Sequence, residues 1–555
     1  MEKGYSFFKK AGLAAFAIMA FTFSGTAAQL EVTTTEPGTL ASLISENDKW
    51  NTTELKVSGP INAIDIRTLR EMAGSDYYGE PTEGKLQKLD MTDVEIIGYD
   101  ESTPSVDQSY FCDMNQAFVY LIAEDNQFYG FFFTECDALK ELTLPTRAFY
   151  KGNTKWPKML EKISVPDENP YLTVLDNILY SKDLKTLFYC PAGSTLTDFR
   201  TPNTTEIIYT GAFYYNQHLK SVEMPNVKEV KNTAFYYCTE LQQITFGNQL
   251  TTLDENAIMG NYQLNSVTVA ADNPNFKNIG NALTDISGKK LYIFPMDNTV
   301  ETCDVPDGVE TVCPGAFYSN YVRNISFPNS VTTLRQYALF NCLKLETVNM
   351  GSGITNLEQA FSYNLPSLQE YDIDSENPAF ASHDGAIYSK DGLTLVVIPE
   401  GRTEFSVKEG TEQLSMYSMG AINNTIEKLT LPTSLKSLTV MTLMCDNLKE
   451  IYCKATVPPT SNGYMPFYPH MMAHIDLFVP TGCANAYKGN PYWKDFKSIN
   501  EFDFSGIDSV TANEKPHEVA RYGIDGKLLP AETPGLNLIK MSDGSVRKVW
   551  IPDNR

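Results

Sequence analysis

Apolar and polar residues alternate along this chain in short bursts that return at a nearly fixed interval. Leu219, Val222 and Met224 alternate with polar neighbours, Leu241, Ile244 and Phe246 repeat the pattern 22 residues later, and Leu264 opens the next burst after 23. In such a burst, alternate side chains fall on opposite faces of a pleated strand, so the apolar ones point one way. A second short extended piece follows each burst (Val227 to Val230, Leu250 to Leu253). Then comes a corner of Ala234-Phe235, Ala316-Phe317 or Ala338-Leu339, where the small Ala permits close backbone approach and its successor fills the interior. A period in the low twenties with this apolar core predicts a leucine-rich repeat solenoid over 136–453, because no turn buries its apolar side without neighbours. The fold class expected is mostly β: short strands, brief helical or 3₁₀ corners, and curvature along the axis. No stretch of the periodic region offers a long helical stripe.

A longer period overlies the first. Asn169-Pro170, Asn273-Pro274 and Asn377-Pro378 stand 104 residues apart, as do Leu179, Leu283 and Ile387, and also Pro191, Pro295 and Pro399. Each block therefore holds about three ordinary turns and one insert running from Asn-Pro to the last Pro. Inside the insert, runs such as Ala386 to Tyr388 and Leu393 to Ile398 flank a polar turn ending in Gly392, which reads as a hairpin.

The flanks depart from the period. Lys3, Lys9 and Lys10, an apolar run from Ala11 to Phe23 and a small-residue stretch ending at Ala28 make 1–28 a secretory signal peptide. Region 29–132 reads as an N-terminal cap, with strands near Leu55 and Leu86 and a helix from Asp65, its expected N-cap, to Met72. Its aromatic run, Phe128 to Phe133, reads as core beneath that cap. The solenoid is placed at 133–502, closed by Trp493 and Phe496. A small β module fills 503–555, with strands near Val519, Gly535 and Val546 and Asp-Gly turns at Asp525 and Asp543.

Charge narrows the partners. With 44 Lys plus Arg against 68 Asp plus Glu, the net charge is −24, which disfavours nucleic acid and anionic membranes. Among ten cysteines, Cys136, Cys238, Cys342 and Cys445 each sit three residues before a Leu at one repeat position, so they read as buried free thiols. Cys303 and Cys313 are the pair left open as a disulfide. No catalytic motif is present, and no cofactor or metal is expected. His470 and His474 are spaced for one helix face but lack a third ligand. Asp372, Asp374 and Glu376 resemble the opening of a calcium loop without its Gly, and read as a solvated strand end.

Two surface features remain. The outward strand positions are Glu141/Thr143, Lys162/Ser164, Ser221/Glu223, Gln243/Thr245, Ser266/Thr268, Asn324/Ser326, Thr347/Asn349, Glu370/Asp372, Lys428/Thr430 and Glu450/Tyr452. Stacking would align them into one extended polar strip. Of these, Ser221, Glu223, Gln243, Thr245, Ser266, Thr268, Asn324, Ser326, Thr347 and Asn349 are the candidate ligand-binding residues. The second feature is aromatic: Phe149-Tyr150, Phe213 to Tyr215, Phe235 to Tyr237 and Phe317-Tyr318 would form a tyrosine ladder on one flank, either packed on itself or open to sugars.

The repeat core, the Ala-Phe-Tyr corner with its following Cys238, and the ending from Val479-Pro480 through Tyr492 to Phe496 together resemble BspA-type leucine-rich repeat proteins. The resemblance covers about 136–500. It implies a non-enzymatic solenoid that is secreted or displayed outside the outer membrane of a Gram-negative anaerobe, the periplasm being the alternative. It further implies adhesion to an extracellular or host matrix protein, with glycan capture as the alternative and no membrane span after signal cleavage. Gly506 to Val510 and Tyr522 to Gly526 resemble short β tails of exported proteins from such bacteria, some of which serve as type IX secretion signals.

Overall fold

The computed structural model describes residues 29–551 except 77, 99–124, 129, 151–155, 296–299, 318–320, 359–363, 417, 419–424, 440–441, 443–444, 462–465, 468, 507–517, 524–526, 530–532 and 542–545. The expected signal peptide, Cys112, Tyr318 and the turns at Asp525 and Asp543 lie outside the described residues. Contacts divide the chain into two compact units. The first holds the described residues up to 322 with 330–342 and 356–358; the second holds 323–329, 343–355 and the described residues from 364.

The first unit opens with a five-stranded parallel sheet of Gln29–Thr33, Glu54–Ile61, Lys88–Ile96, Glu141–Thr143 and Lys162–Ser164. Leu30, Leu55, Leu89, Leu142 and Ile163 occupy equivalent rungs, all buried. The sheet thus runs from the aperiodic N-terminal region into the first regular turns. The helix Ala63–Met72 is capped by Asn62 rather than Asp65. Asn62 Oδ1 accepts from Ile64 N at 2.9 Å, and Asp65 is the reciprocal member of a capping box, accepting from Asn62 N at 2.9 Å. Asp65 also accepts from the backbone of Gly38 and Leu40, which ties the first loop to the helix.

A second parallel sheet in this unit contains Asp198–Arg200, Ser221–Met224, Gln243–Phe246 and Ser266–Val269 in strict register. The second unit repeats the arrangement with Asn324–Phe327, Thr347–Met350 and Glu370–Ile373, and again with Glu404–Ser406, Lys428–Leu431, Glu450–Cys453, Asp476–Pro480 and Ser498–Phe502. Among the described residues the corners are of two kinds: Gly130–Phe133 is a 3₁₀ helix and Pro469–Met472 a short α-helix, as expected, whereas those at Ala212, Ala234, Ala257 and Ala338 are hydrogen-bonded turns. Phe213 N donates to Ala234 O at 2.8 Å, Phe235 N to Ala257 O at 2.8 Å and Phe317 N to Ala338 O at 3.1 Å. This turn-to-turn ladder uses the close approach that Ala allows. Charges also alternate from turn to turn, as in Lys228–Glu206 at 2.9 Å and Lys289–Glu310 at 2.7 Å, each exposed pair worth at most about 1 kcal/mol.

Each insert contains the expected hairpin with one further strand ahead of it. Leu172–Leu175, Ile178–Ser181 and Thr186–Tyr189 form an antiparallel meander whose last strand pairs in parallel with Ile207–Ile208. The next two blocks repeat it, at Phe276–Ile279, Ala282–Asp285 and Lys290–Ile293, then at Phe380–His383, Ala386–Ser389 and Thr394–Val397. The recurrent Asn fastens each meander down. Asn273 Nδ2 donates to Gly247 O and Leu250 O, both at 3.1 Å, while its Oδ1 accepts from Asn275 N and Phe276 N at 2.8 and 2.9 Å. Asn169 and Asn377, equally buried, make the same four bonds to their own surroundings.

All nine described cysteines are free, including Cys303 and Cys313. Cys238 Sγ donates to Phe213 O at 3.0 Å and Cys342 Sγ to Phe317 O at 3.2 Å. Asn261 occupies the equivalent place in the next turn, its amide donating to Phe235 O at 2.9 Å. The position therefore calls for a small buried donor, either thiol or amide. Burial pushes the thiols of Cys136, Cys190 and Cys303 up to about 12 and so keeps them from forming reactive thiolates. With eight of the ten cysteines buried, a thiol-reactive dye on the native protein is expected to label at most two, and all ten after denaturation.

The last turns close on Trp493, fully buried and donating from Nε1 to Pro459 O at 2.8 Å, with Phe467, Tyr487 and Phe496 around it. In the N-terminal region Phe128 and Phe132 pack edge to face, and with Phe133 they are buried, which matches the core reading of that run; the side chains of Tyr129 and Phe131 lie outside the described set. Beyond the solenoid, Glu518–Gly523, Leu528–Leu529, Gly535–Met541 and Val546–Ile551 form an antiparallel sheet.

Candidate recognition face

The strand burst explains the face directly. Val222, Ile244 and Val267 point inward and are at most 2% exposed, so pleating turns Ser221, Glu223, Gln243, Thr245, Ser266 and Thr268 outward. Register then places Ser221 beside Gln243 and Gln243 beside Ser266, with Glu223, Thr245 and Thr268 forming the parallel row. The structure adds Asp198 and Arg200 at the head of these rows. Ser221 Oγ donates to Asp198 Oδ1 at 2.6 Å, and this hydroxyl together with that of Thr197 holds the Asp198 carboxyl below its ordinary value. Arg200 pairs with Glu223 through Nη1, both side chains more than half exposed. Thr268 and Thr245 hydroxyls meet at 3.3 Å. Beside them lies a shallow depression of about 330 Å³, lined by Arg200, Glu223, Thr245, Thr268 and the strand ends at Phe246 and Val269.

Four other expected residues belong to the second unit. Asn324, Ser326, Thr347 and Asn349 lie in two rows on their own sheet, with Asn349 Nδ2 donating to Ser326 Oγ at 3.2 Å. Glu370 and Asp372 continue these rows. All ten expected residues therefore face outward from strands in register, but the strip is carried by separate hydrogen-bonded sheets rather than by one. It is broken at the inserts. Asn177, at the turn of the first meander, donates to Glu161 O at 2.8 Å and accepts from Ile163 N at 3.1 Å, satisfying the open edge of Lys162–Ser164. Asn278 does the same for Ser266–Val269, bonding Val267 O and Val269 N at 2.8 and 3.0 Å. An amide side chain thus replaces the next strand and ends the sheet, which protects an edge otherwise open to pairing.

The tyrosine ladder exists where it is described. Tyr214 stacks on Tyr236 at 5.4 Å and Tyr215 on Tyr237 at 5.3 Å, each pair within 10° of parallel. Ring faces are thereby turned on one another. Lys158 covers Tyr215 at 5.1 Å, and Tyr262 meets Tyr237 edge-on. Desolvation raises the phenols of Tyr214 and Tyr236 above their ordinary value. Tyr150 is buried, stacked on Trp156 at 5.7 Å.

Other candidates dissolve on inspection. His470 ends up in the four-residue helix Pro469–Met472 and His474 lies beyond it, so the two do not share a helix face. Asp374 Oδ1 accepts from Glu376 N at 2.8 Å in a local turn. Among the described residues no group of three His, Cys, Asp or Glu side chains is placed to hold a metal, and no helix is long and apolar enough to cross a membrane.

Residues 185–291 and 289–408 match, in six copies, the family described as BspA type leucine rich repeat region. Comparison with curated proteins gives no match. Among solved structures, the chain is similar to a leucine rich cell surface protein from Faecalibacterium prausnitzii, at 17% identity over 59% of this chain and 76% of that one, TM-score 0.33. It is also similar to leucine-rich repeat proteins from Eubacterium ventriosum (16% identity, 64% and 89%, TM-score 0.33) and Bacteroides ovatus (14% identity, 82% and 84%, TM-score 0.21).

Proposed function

Residues 185–408 are a BspA-type leucine-rich repeat region, and from that premise we propose that the protein is an exported, non-enzymatic adhesion protein that recognises an extracellular protein with its outward strand face. The observation that carries this reading is the registered polar row of Ser221, Glu223, Gln243, Thr245, Ser266 and Thr268, drawn from three successive turns. Side chains spaced by the roughly 4.8 Å between strands form a straight line of hydrogen-bonding groups along which an extended polypeptide can lie. Protein stands ahead of glycan because the tyrosine faces a sugar would need are engaged with one another. The net charge of −24 suits a soluble life outside the cell.

Parallel arrays of extracellular matrix proteins and of glycans test the reading. The expected result is capture by one or more proteins and none by glycans. A fourfold variant, Ser221→Arg, Glu223→Arg, Gln243→Arg and Thr245→Arg, is expected to lose at least about tenfold in affinity with its circular dichroism unchanged. Full affinity in the folded variant would remove this face as the site.

A further inference from the structure

The first insert separates two strands, and their edges are treated differently. On the trailing side, Asn177 occupies the edge of Lys162–Ser164. On the leading side stands Asp198–Arg200, the end strand of its sheet. Thr197 O accepts from Ser221 N at 3.1 Å and Thr201 N donates to Glu223 O at 3.0 Å, so the odd-numbered residues bond to Ser221–Met224. Alternation along the strand then turns the N–H and C=O of Asp198 and Arg200 to the opposite side. Those four backbone groups have no partner among the described residues, and both residues are exposed. Between the two strands lies a groove of about 690 Å³, lined by Glu141, Lys162, Asn177, Thr195, Thr197 and Asp198 among others.

The third insert shows the corresponding gap closed. Arg402 crosses it, donating from Nε to Gln369 O at 3.1 Å and from Nη1 to Asp384 Oδ1 at 3.2 Å, while Gln369 Nε2 donates to Gly401 O at 2.9 Å. Two blocks earlier, 208 residues back, Glu161 stands at the place of Gln369, Asp176 at that of Asp384 and Ser194 at that of Arg402. The correspondence holds in space, since Gly193 N donates to Leu160 O and Gly401 N to Leu368 O, both at 2.8 Å. Asp176 also shares the left-handed backbone of Asp384. The first block lacks only the arginine, and its groove is open. We propose that this groove takes an extended segment of a partner protein, which adds as one more strand beside Asp198–Arg200. The backbone of that segment pairs with the N–H and C=O of Asp198 and Arg200, an edge that carries neither the proline nor the bulge that would block addition. Its outward side chains prolong the rows that Asp198 and Arg200 head. This deepens the adhesion reading, from which it takes a polypeptide as the partner.

The test uses the full chain and a dye-labelled decapeptide alternating Thr and Lys, with a counterpart N-methylated on every residue. The counterpart keeps side chains and charge but has no backbone N–H to donate. The expected result is binding of the unmodified peptide at least about tenfold tighter, with amide hydrogen exchange slowed in the fragment that spans Asp198 and Arg200. Ser194→Arg, which copies the cover of the third block, is expected to abolish that binding with circular dichroism unchanged. Arg200→Pro is expected to bind at least about tenfold more weakly than Arg200→Ala, because the two differ in an edge N–H that the sheet itself does not use. Since Ser194→Arg leaves the rows from Ser221 to Thr268 in place, failure of the groove reads out separately from failure of the face, which the fourfold arginine variant tests. Equal binding of the two peptides, or full binding by Ser194→Arg, overturns the proposal. So does concentration-dependent self-association that Ser194→Arg removes, because the occupant would then be a second copy of this chain.

Discussion

Asn273→Asp is expected to destabilise the protein by about 3–5 kcal/mol at neutral pH, more than the loss caused by Asn273→Ala. The native amide donates twice to carbonyls of the preceding turn and accepts twice from the backbone of the insert. Alanine removes the Asn273 partner from all four backbone groups, Leu250 O alone keeping a second donor in the Asn275 amide, at about 2–4 kcal/mol. Aspartate keeps the two accepting bonds but points a carboxylate oxygen at two carbonyls in a site only 3% exposed. Repulsion is added to desolvation. The sign of the pH dependence follows: the buried carboxyl titrates higher in the folded than in the unfolded chain, so the variant regains stability as pH falls and the acid becomes a donor. Urea midpoints at pH 7 and pH 4 measure this. A variant no worse than alanine at pH 7 would mean that the amide does not fasten the insert.

Glu400→Gln is expected to act in the opposite direction, stabilising the protein at alkaline pH by up to about 3 kcal/mol. Glu400 is fully buried; Oε2 accepts from Leu365 N at 2.6 Å, and Oε1 has no partner among the described residues. Burial pushes its carboxyl up to about 7, against the partial relief given by the backbone of Leu365 and Asn364. Below about pH 4.5 the acid is protonated in both states and contributes nothing. As pH rises toward 7 the unfolded chain ionises first, so stability declines and then levels off. The glutamine variant should be flat over that window, and the two curves should meet at acid pH. Parallel curves from pH 4 to pH 8 would show that the carboxyl titrates alike in the folded and unfolded chain.

How much of this was legible beforehand depends on what each residue answers to. Alternation at Leu219, Val222 and Met224 obeys the pleat alone, so the strands and all ten outward residues fall where the sequence puts them. The break in the strip was not legible. Periodicity describes what repeats, whereas the breaks come from Asn177 and Asn278, which sit at different places in their inserts and do one job with different registers. The 104-residue recurrence of Asn169, Asn273 and Asn377 was visible, but its four-bond role was not, because only the fold shows which carbonyls lack partners. Cys238 and Asn261 hold one repeat position three residues before a Leu; reading both as buried donors was open to inspection of the sequence. Glu400 left no signal, since an isolated acid beside a Gly reads as exposed. The same holds for the cap at Asn62, where Asp65 bears the stronger local resemblance to a helix start.

Consecutive turns complete one another's interior, and the recognition proposed for them is spread over their joint exterior. Excising one whole turn, residues 219–240, separates the two, since Leu241, Ile244 and Phe246 then take the rungs of Leu219, Val222 and Met224. The shortened chain is measured for its β-sheet circular dichroism and for binding to whichever matrix protein the intact chain captures. The expected result is a folded protein whose affinity falls at least about tenfold with the loss of Ser221 and Glu223. A chain that unfolds, or one that folds and binds as tightly as before, would contradict it.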